Sequence, residues 1–322
     1  MTPILEMDRV SIRYSGDPAG APAVRNVSLV VKPGETLGLV GESGSGKSTL
    51  AAAMMGLLPV NGRVEGRILF RGDDLSARSS EARRRLLGSR IAMIAQDPFT
   101  SLNPVVRIGR QLIEFQHWRS ELDRKARWDR AVQMLRRVGL SDPDLRMKQF
   151  PHQLSGGIRQ RIAIAAALLV GPDLLIADEP TTALDATTED QIIELIRASR
   201  EAMEGAVVFI THDMGVVRRL CDKVAVLYAG EMVEAGSVVE VMDTPQHPYT
   251  KALLACDPAE ISEVTRNLPT IPGNVPPPDG RPEGCVFAPR CVEVLDECRT
   301  VMPEPRRLGE GRCAACLRVG AA

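Results

Sequence analysis

Aromatic residues are scarce: six Phe, three Tyr and two Trp make up 3% of 322 residues. A surface that stacks unpaired bases needs aromatic platforms set among Lys and Arg, and no such interleaving occurs along the chain. Charge of one sign is lacking too. Lys and Arg number 40 against 41 Asp and Glu, a net charge of −1, so no global field draws the protein to nucleic acid or to an anionic membrane. Long apolar runs are also missing. The longest uncharged stretches rich in apolar residues, STLAAAMMGLLPVNG (48–62) and IAIAAALLVGP (162–172), fall short of the roughly 20 apolar residues that span a bilayer. The opening MTPILEMDRVSIRYSGD is interrupted by Glu6, Asp8 and Arg9, which argues against an export signal. Work at a membrane would have to rest on other chains.

What is present is enough apolar material, 44%, for one large domain and a small one. Short alternating runs over 2–40, with a Pro33-Gly34 turn, predict strands. After Lys47 the pattern turns helical. Residues 81–90, EARRRLLGSR, read as a solvated amphipathic helix, and 108–147 carry helical periodicity ended by Gly139 and Pro143. From 158 onward helix, strand (DLLIAD), helix and strand (AVVFITH) alternate, the order of a parallel α/β sheet with helical crossovers. Beyond Tyr228 the pieces GEMVEAGSVVEVM and HPYTKALLA look folded. Nine prolines between Pro269 and Pro305 then exclude long regular elements.

The stretch GLVGESGSGKSTL holds Gly41-x4-Gly46-Lys47-Ser48, a P-loop pattern between an apolar strand (36–40) and a helix start. Its glycines let the backbone N–H groups of residues 41–46 (Gly41, Glu42, Ser43, Gly44, Ser45, Gly46) wrap phosphates, and the helix start at Lys47, Ser48 and Thr49 adds a positive dipole end. Lys47 would reach the β- and γ-phosphates of ATP and Ser48 would ligate Mg²⁺. A second acidic element follows in LLIADEP: Asp178 ends an apolar strand and can complete the Mg²⁺ shell, and Glu179 can deprotonate the attacking water. His212, after the strand in FITHD, is placed to hold the γ-phosphate or that water.

The segment HQLSGGIRQRIAIAAAL narrows the class. Ser155, Gly156 and Gly157 stand at a helix start suited to a second γ-phosphate, and Leu154-Ser155-Gly156-Gly157 resembles the ABC ATPase signature. That resemblance implies an α/β P-loop NTPase of RecA-like core with an antiparallel β subdomain and a helical subdomain at about 97–165. The signature acts across a dimer of two ATPase domains. It further implies Gln96 as the Q-loop residue and a Mg²⁺ contact, Asp185 as the D-loop residue, His212 as the switch histidine and Tyr14 as the adenine-stacking aromatic. QDPFTSLNPV, FPHQLSGG, HPYTKALL and GCVFAPRC are similar to the ATPase subunits of dipeptide and oligopeptide importers, a group that includes nickel importers, and the likeness runs over essentially the whole chain. Ile158 departs from the Met usual there. The implied assembly is a cytoplasmic-side subunit paired with a second, usually homologous, ATPase beneath two transmembrane permease subunits fed by an extracytoplasmic solute-binding protein. The ATPase domain would cover 1–255 and a cysteine-bearing extension 256–322. A soluble ABC ATPase of DNA repair or ribosome recycling is the contrasting reading, disfavoured because such chains usually join two cassettes and this one has a single P-loop.

Five of seven cysteines lie in the tail, Cys285-x5-Cys291-x6-Cys298, then Cys313 and Cys316. The first three are wider apart than usual zinc pairs, and no His follows His247, so zinc would need an all-thiolate site. Four thiolates equally suit a [4Fe–4S] cluster. The peptide-importer resemblance implies such a cluster, on Cys285, Cys291, Cys298 and Cys316, with Cys313 spare. Cys221 and Cys256 read as ordinary packed cysteines.

Overall fold

A computed structural model describes residues 2–15, 20–119, 121–181, 184–203, 205–257 and 269–320. The part of the extension over 258–268 lies outside the described residues. The chain divides into two compact units, one of Met1–Ala77 with Phe209–Ala322 and one of Arg78–Val208.

In the first unit, β1 (Leu5–Tyr14), β2 (Val24–Val31), β4 (Gly62–Phe70) and β5 (Asp73–Asp74) form an antiparallel sheet ordered β2-β1-β4-β5. Val24, Val27, Leu29 and Val31 are buried with exposed or half-buried neighbours between them, the period of a strand covered on one face. The register slips after Met7 on one side and Asp8 on the other, with Arg9 in the left-handed region. Opposite the slip stands Gly66, where a Cβ would lie 2.5 Å from the Arg9 carbonyl; the bulge requires glycine. Between β2 and β3 (Thr36–Val40), the Glu35 N–H donates to Lys32 O at 3.1 Å around Gly34 at φ 76°. β3 is buried at all five positions and leads through the 41–46 loop into α1 (Lys47–Met54). A continuous apolar run buried on both faces is what a parallel strand demands.

In the second unit, α2 (Ser80–Leu86) is capped by Ser79, whose side chain accepts from Ala82 N–H at 3.2 Å. The solvated helix expected over 81–90 is present but shorter: no residue of α2 is buried, and the helix stops where Leu87 turns extended. A row of Arg with i,i+4 partners such as Glu81–Arg85 sits as well in water as on a core. β6 (Ile91–Ile94) and β7 (Leu174–Asp178) pair in parallel. Everything regular between them is helical: α3 (Pro98–Ser101), α4 (Ile108–Glu114), α5 (Arg124–Arg137), α6 (Pro143–Lys148), a turn of 3₁₀ helix at Pro151–Gln153 and α7 (Gly156–Val170). α5 buries Ala131, Val132, Met134 and Leu135, one face at helical spacing. α8 (Ala186–Met203) follows β7, and the chain leaves this unit within β8 (Ala206–Thr211).

Back in the first unit come α9 (Met214–Leu220), β9 (Lys223–Tyr228), β10 (Glu231–Ser237), α10 (Val238–Asp243) and α11 (Pro248–Ala255). β9 runs parallel to β3 and antiparallel to β10. Among the described residues the tail holds 3₁₀ turns across its prolines, then a hairpin of β11 (Arg306–Gly309) and β12 (Arg312–Ala314). β12 extends the sheet: Glu234 and Ala235 of β10 face Ala314 and Cys313. Val286 and Phe287 are buried as well, so main-chain pairing and an apolar wedge hold the tail.

Candidate nucleotide site and cysteine pocket

The loop after β3 is shaped by close approach. Gly41 has φ 150°, and a Cβ there would fall 2.1 Å from Leu227 O, so only glycine admits β9 behind the loop. The Lys47 ammonium folds back onto Gly41 O at 2.7 Å and Glu42 O at 2.9 Å. Ser45 is fully buried, and its carbonyl accepts from Gly230 N–H at 2.9 Å. Ser43, Gly44 and Ser48 are exposed and Thr49 is half-buried. α1 carries no acidic residue in its first turn, so that turn adds no negative charge against the helix's positive end. Tyr14 ends β1 half-exposed, with its ring edge against Gly62. His212 follows β8 exposed, ahead of Asp213, whose side chain accepts from Val216 N–H at 3.0 Å and caps α9.

The second unit carries the acidic and signature elements. Asp178, buried, ends β7. Ile94 pairs with Ala177, so Gln96 and Glu179, each two residues on, leave the sheet side by side: Gln96 Nε2 donates to Glu179 Oε2 at 3.0 Å. Glu179 has φ 45°, a left-handed turn that a non-glycine residue adopts at some energetic cost. Ser155 caps α7, accepting from Ile158 N–H at 3.4 Å. A Cβ on Gly156 would meet nothing within 4 Å, and the first turn holds no acid. Behind it the Gln160 amide donates to Pro180 O at 2.7 Å. Asp185 caps α8, accepting from Thr188 N–H at 3.0 Å and from its hydroxyl at 2.7 Å. The Thr188 hydroxyl holds the Asp185 carboxyl below the usual range.

A third feature sits in the first unit. Cys285, Cys291, Cys298 and Cys316 line one small pocket with His247, Phe287 and Leu317, and none of them is in a disulfide. Cys313 lines a different pocket, beside Arg307 and Arg312. Burial pushes the Cys285 thiol up to about 11, and Cys298 and Cys316 add to it. Among the described residues, no group of three or more His, Cys, Asp or Glu is drawn tightly enough for a single metal ion. Cys221 packs its sulfur against Gly38 of β3, and Cys256 caps α11 half-buried.

Sequence reasoning missed four residues around the P-loop. Tyr249 is fully buried, and its hydroxyl accepts from Glu42 N–H at 2.9 Å; burial raises that hydroxyl's pKa. His247 Nδ1 accepts from Tyr249 N–H at 3.0 Å, and burial pushes His247 down to about 3. Arg290 and Tyr228 complete the group. The stretches HPYTKALL and GCVFAPRC contain three of these four, but local pattern gives no hint of what they touch.

A glycine-shaped phosphate loop, a buried acid at a strand end, a paired Gln and Glu, and an open signature helix start together define an ATP-binding cassette. The chain matches the family model "ABC transporter" over residues 24–182 and "Oligopeptide/dipeptide transporter, C-terminal region" over 233–298. It is 44% identical over 314 residues to the dipeptide transport ATP-binding protein DppD of Escherichia coli (strain K12), spanning 97% of this chain and 96% of that one. It is 42% identical over 320 residues to the oligopeptide transport ATP-binding protein OppD of Mycobacterium bovis, covering 99% of this chain and 52% of that protein. A solved dimer of the ATP-binding cassette MJ0796, in a post-hydrolysis state with ADP and Pi, superposes at TM-score 0.66 with 27% identity over 73% of this chain and 98% of that one. The chain belongs to the ABC transporter family, as an ATP-binding subunit with the C-terminal region of the oligopeptide/dipeptide transporters. It is an ATPase.

Proposed function

We propose that this chain is the ATP-hydrolysing motor of a peptide importer, converting closure of a nucleotide-bound dimer into movement of separate permease subunits. The observation that carries the reading is the pairing, in one chain, of a completed P-loop with an outward, unobstructed Ser155-Gly156-Gly157 helix start. The likeness to dipeptide and oligopeptide transport proteins along nearly its full length supports peptides as cargo.

The assigned roles follow from residue chemistry. The N–H groups of 41–46, with Lys47, bind the phosphates; Ser48, Asp178 and Gln96 would hold Mg²⁺, which would screen phosphate charge when bound. Glu179 accepts the proton of the attacking water as its oxygen bonds to the γ-phosphorus and ADP departs. Gln96, bonded to Glu179, orients that carboxylate. His212 steadies the γ-phosphate, Tyr14 stacks on adenine, and Asp185 holds the start of α8 against a companion ATPase. Residues 1–255 form the ATPase domain, their helical segment at about 97–165 meets the permease, and 256–322 form the extension. No helix among the described residues is long and apolar enough to cross a membrane, so attachment comes through two permeases, fed by a solute-binding protein outside the membrane. A homologous second ATPase completes the dimer at the cytoplasmic face.

The same reading makes the tail pocket the seat of a [4Fe–4S] group. The support for it is four free thiols lining one cavity. Such a group would supply covalent cross-linking of the tail and one-electron chemistry when bound; Cys285, Cys291, Cys298 and Cys316 would hold it. The test of the main reading is co-expression with the permeases and reconstitution in vesicles. ATP-dependent peptide uptake is expected. Hydrolysis that no peptide stimulates, in a complex that takes up none, would contradict it.

A further inference from the structure

Glu42 is the only charged residue in the loop 41–46 before Lys47, a negative charge within the segment read as holding a polyanion. The tail meets that charge. Arg290 donates Nη1 to Glu42 Oε1 and Nη2 to Oε2, both at 3.0 Å. Its remaining donors are also used: Nη1 to the Tyr228 hydroxyl at 3.2 Å, Nη2 to Ile271 O at 2.9 Å and Nε to Pro272 O at 2.7 Å. All five guanidinium hydrogens thus have acceptors. The Arg290 side chain is 4% exposed, against 29% for Glu42, so the pair is shielded far more than a surface ion pair. The Glu42 main chain is fixed as well, through its N–H to Tyr249, and the Tyr249 ring packs 4.7 Å from Tyr228 and 5.3 Å from Phe287. Both the charge and the backbone of Glu42 are therefore gripped by residues 248 and 207 positions later in the chain.

We propose that Arg290 is a positioning residue for the nucleotide site: its fork neutralises and immobilises Glu42, so that the loop offers phosphate its N–H groups and Lys47 without an opposing carboxylate. The tail is by this account a working part of the phosphate site. The proposal rests on the reading that the loop from Gly41 to Lys47 holds the phosphates. Its physical basis is that an uncompensated, partly buried carboxylate repels an anion strongly where solvent screening is weak.

The test measures Mg²⁺-ATP affinity of the full chain with a fluorescent nucleotide, alongside thermal melting. Arg290→Ala is expected to weaken binding by about tenfold or more, the scale of a charge-assisted fork lost beside an anion. Arg290→Lys, which keeps charge without the fork, should lose less. Adding Glu42→Gln to Arg290→Ala should recover most of the lost affinity, because the repelling charge is gone. Unchanged binding in Arg290→Ala would overturn the proposal. So would an Arg290→Ala, Glu42→Gln double variant as weak as the single one, since that pattern marks Arg290 as a structural support only. Lys47→Ala separates the underlying reading: undiminished binding there would reject the phosphate loop itself, whatever the Arg290 variants do.

Discussion

The two glycine turns of this chain carry the same residue types to opposite ends. The loop at 41–46 is closed from behind, with Gly41 pressed on Leu227 O, Ser45 buried and bonded to Gly230, and Glu42 locked by Arg290 and Tyr249. The turn at 155–157 has almost nothing of its own: Ser155 caps its helix at 3.4 Å, and the space where a Gly156 Cβ would go is open. A site fixed from within serves a ligand that the chain must bind alone. A turn left bare, with a helix dipole and no acid in its first turn, is suited to an anion brought by another molecule.

Substitutions should break this contrast in order of size. Glu179→Gln is expected to lower phosphate release by about a thousandfold while nucleotide binding persists, the span of a lost general base; normal turnover would remove Glu179 from that role. Gly156→Asp places its Cβ in open space, so thermal melting should hold. Its charge at the helix start should cut hydrolysis in the assembled complex by about a hundredfold, as loss of a preorganised anion site does. Gly41→Ala should do the reverse, losing more than about 2 kcal/mol of stability, because its Cβ would overlap a carbonyl; denaturant melts compare the two directly.

The tail offers a subtler comparison. Anaerobic protein should carry about four irons per chain; Cys316→Ser should lose them and Cys313→Ser keep them, read by iron analysis and absorption. A colourless, zinc-loaded wild type would reverse the assignment. The smallest change falls outside both turns. Ser237→Ala removes the cap of α10 and should lower stability by about 1 kcal/mol. The Ser237 hydroxyl also holds the Glu240 carboxyl below its ordinary range. That contribution is present above the ordinary glutamate pKa and fades as pH falls through the lowered folded value, so the acid limb of wild-type stability should flatten in the variant.

Legibility followed sequence distance. The P-loop, the acid after β7 and the signature are each written within a dozen residues, as strand, turn and helix cap, and local pattern sufficed to find them. Glu42 was readable as a loop residue, whereas its hold on Arg290 was not, because nothing near either residue encodes a contact across 248 positions. The same holds for β12 joining β10. A short strand of Arg312, Cys313 and Ala314 has too little alternation to announce itself, and its pairing comes from the edge that β10 offers.

The most direct measurement is a structure of the assembled complex trapped with Mg²⁺-ATP by Glu179→Gln. It should find the Ser155 to Gly157 turn of this chain over the terminal phosphate held by the companion ATPase, with Lys47 on this chain's own nucleotide. A turn far from every phosphate, in its own subunit and in the companion, would contradict the account.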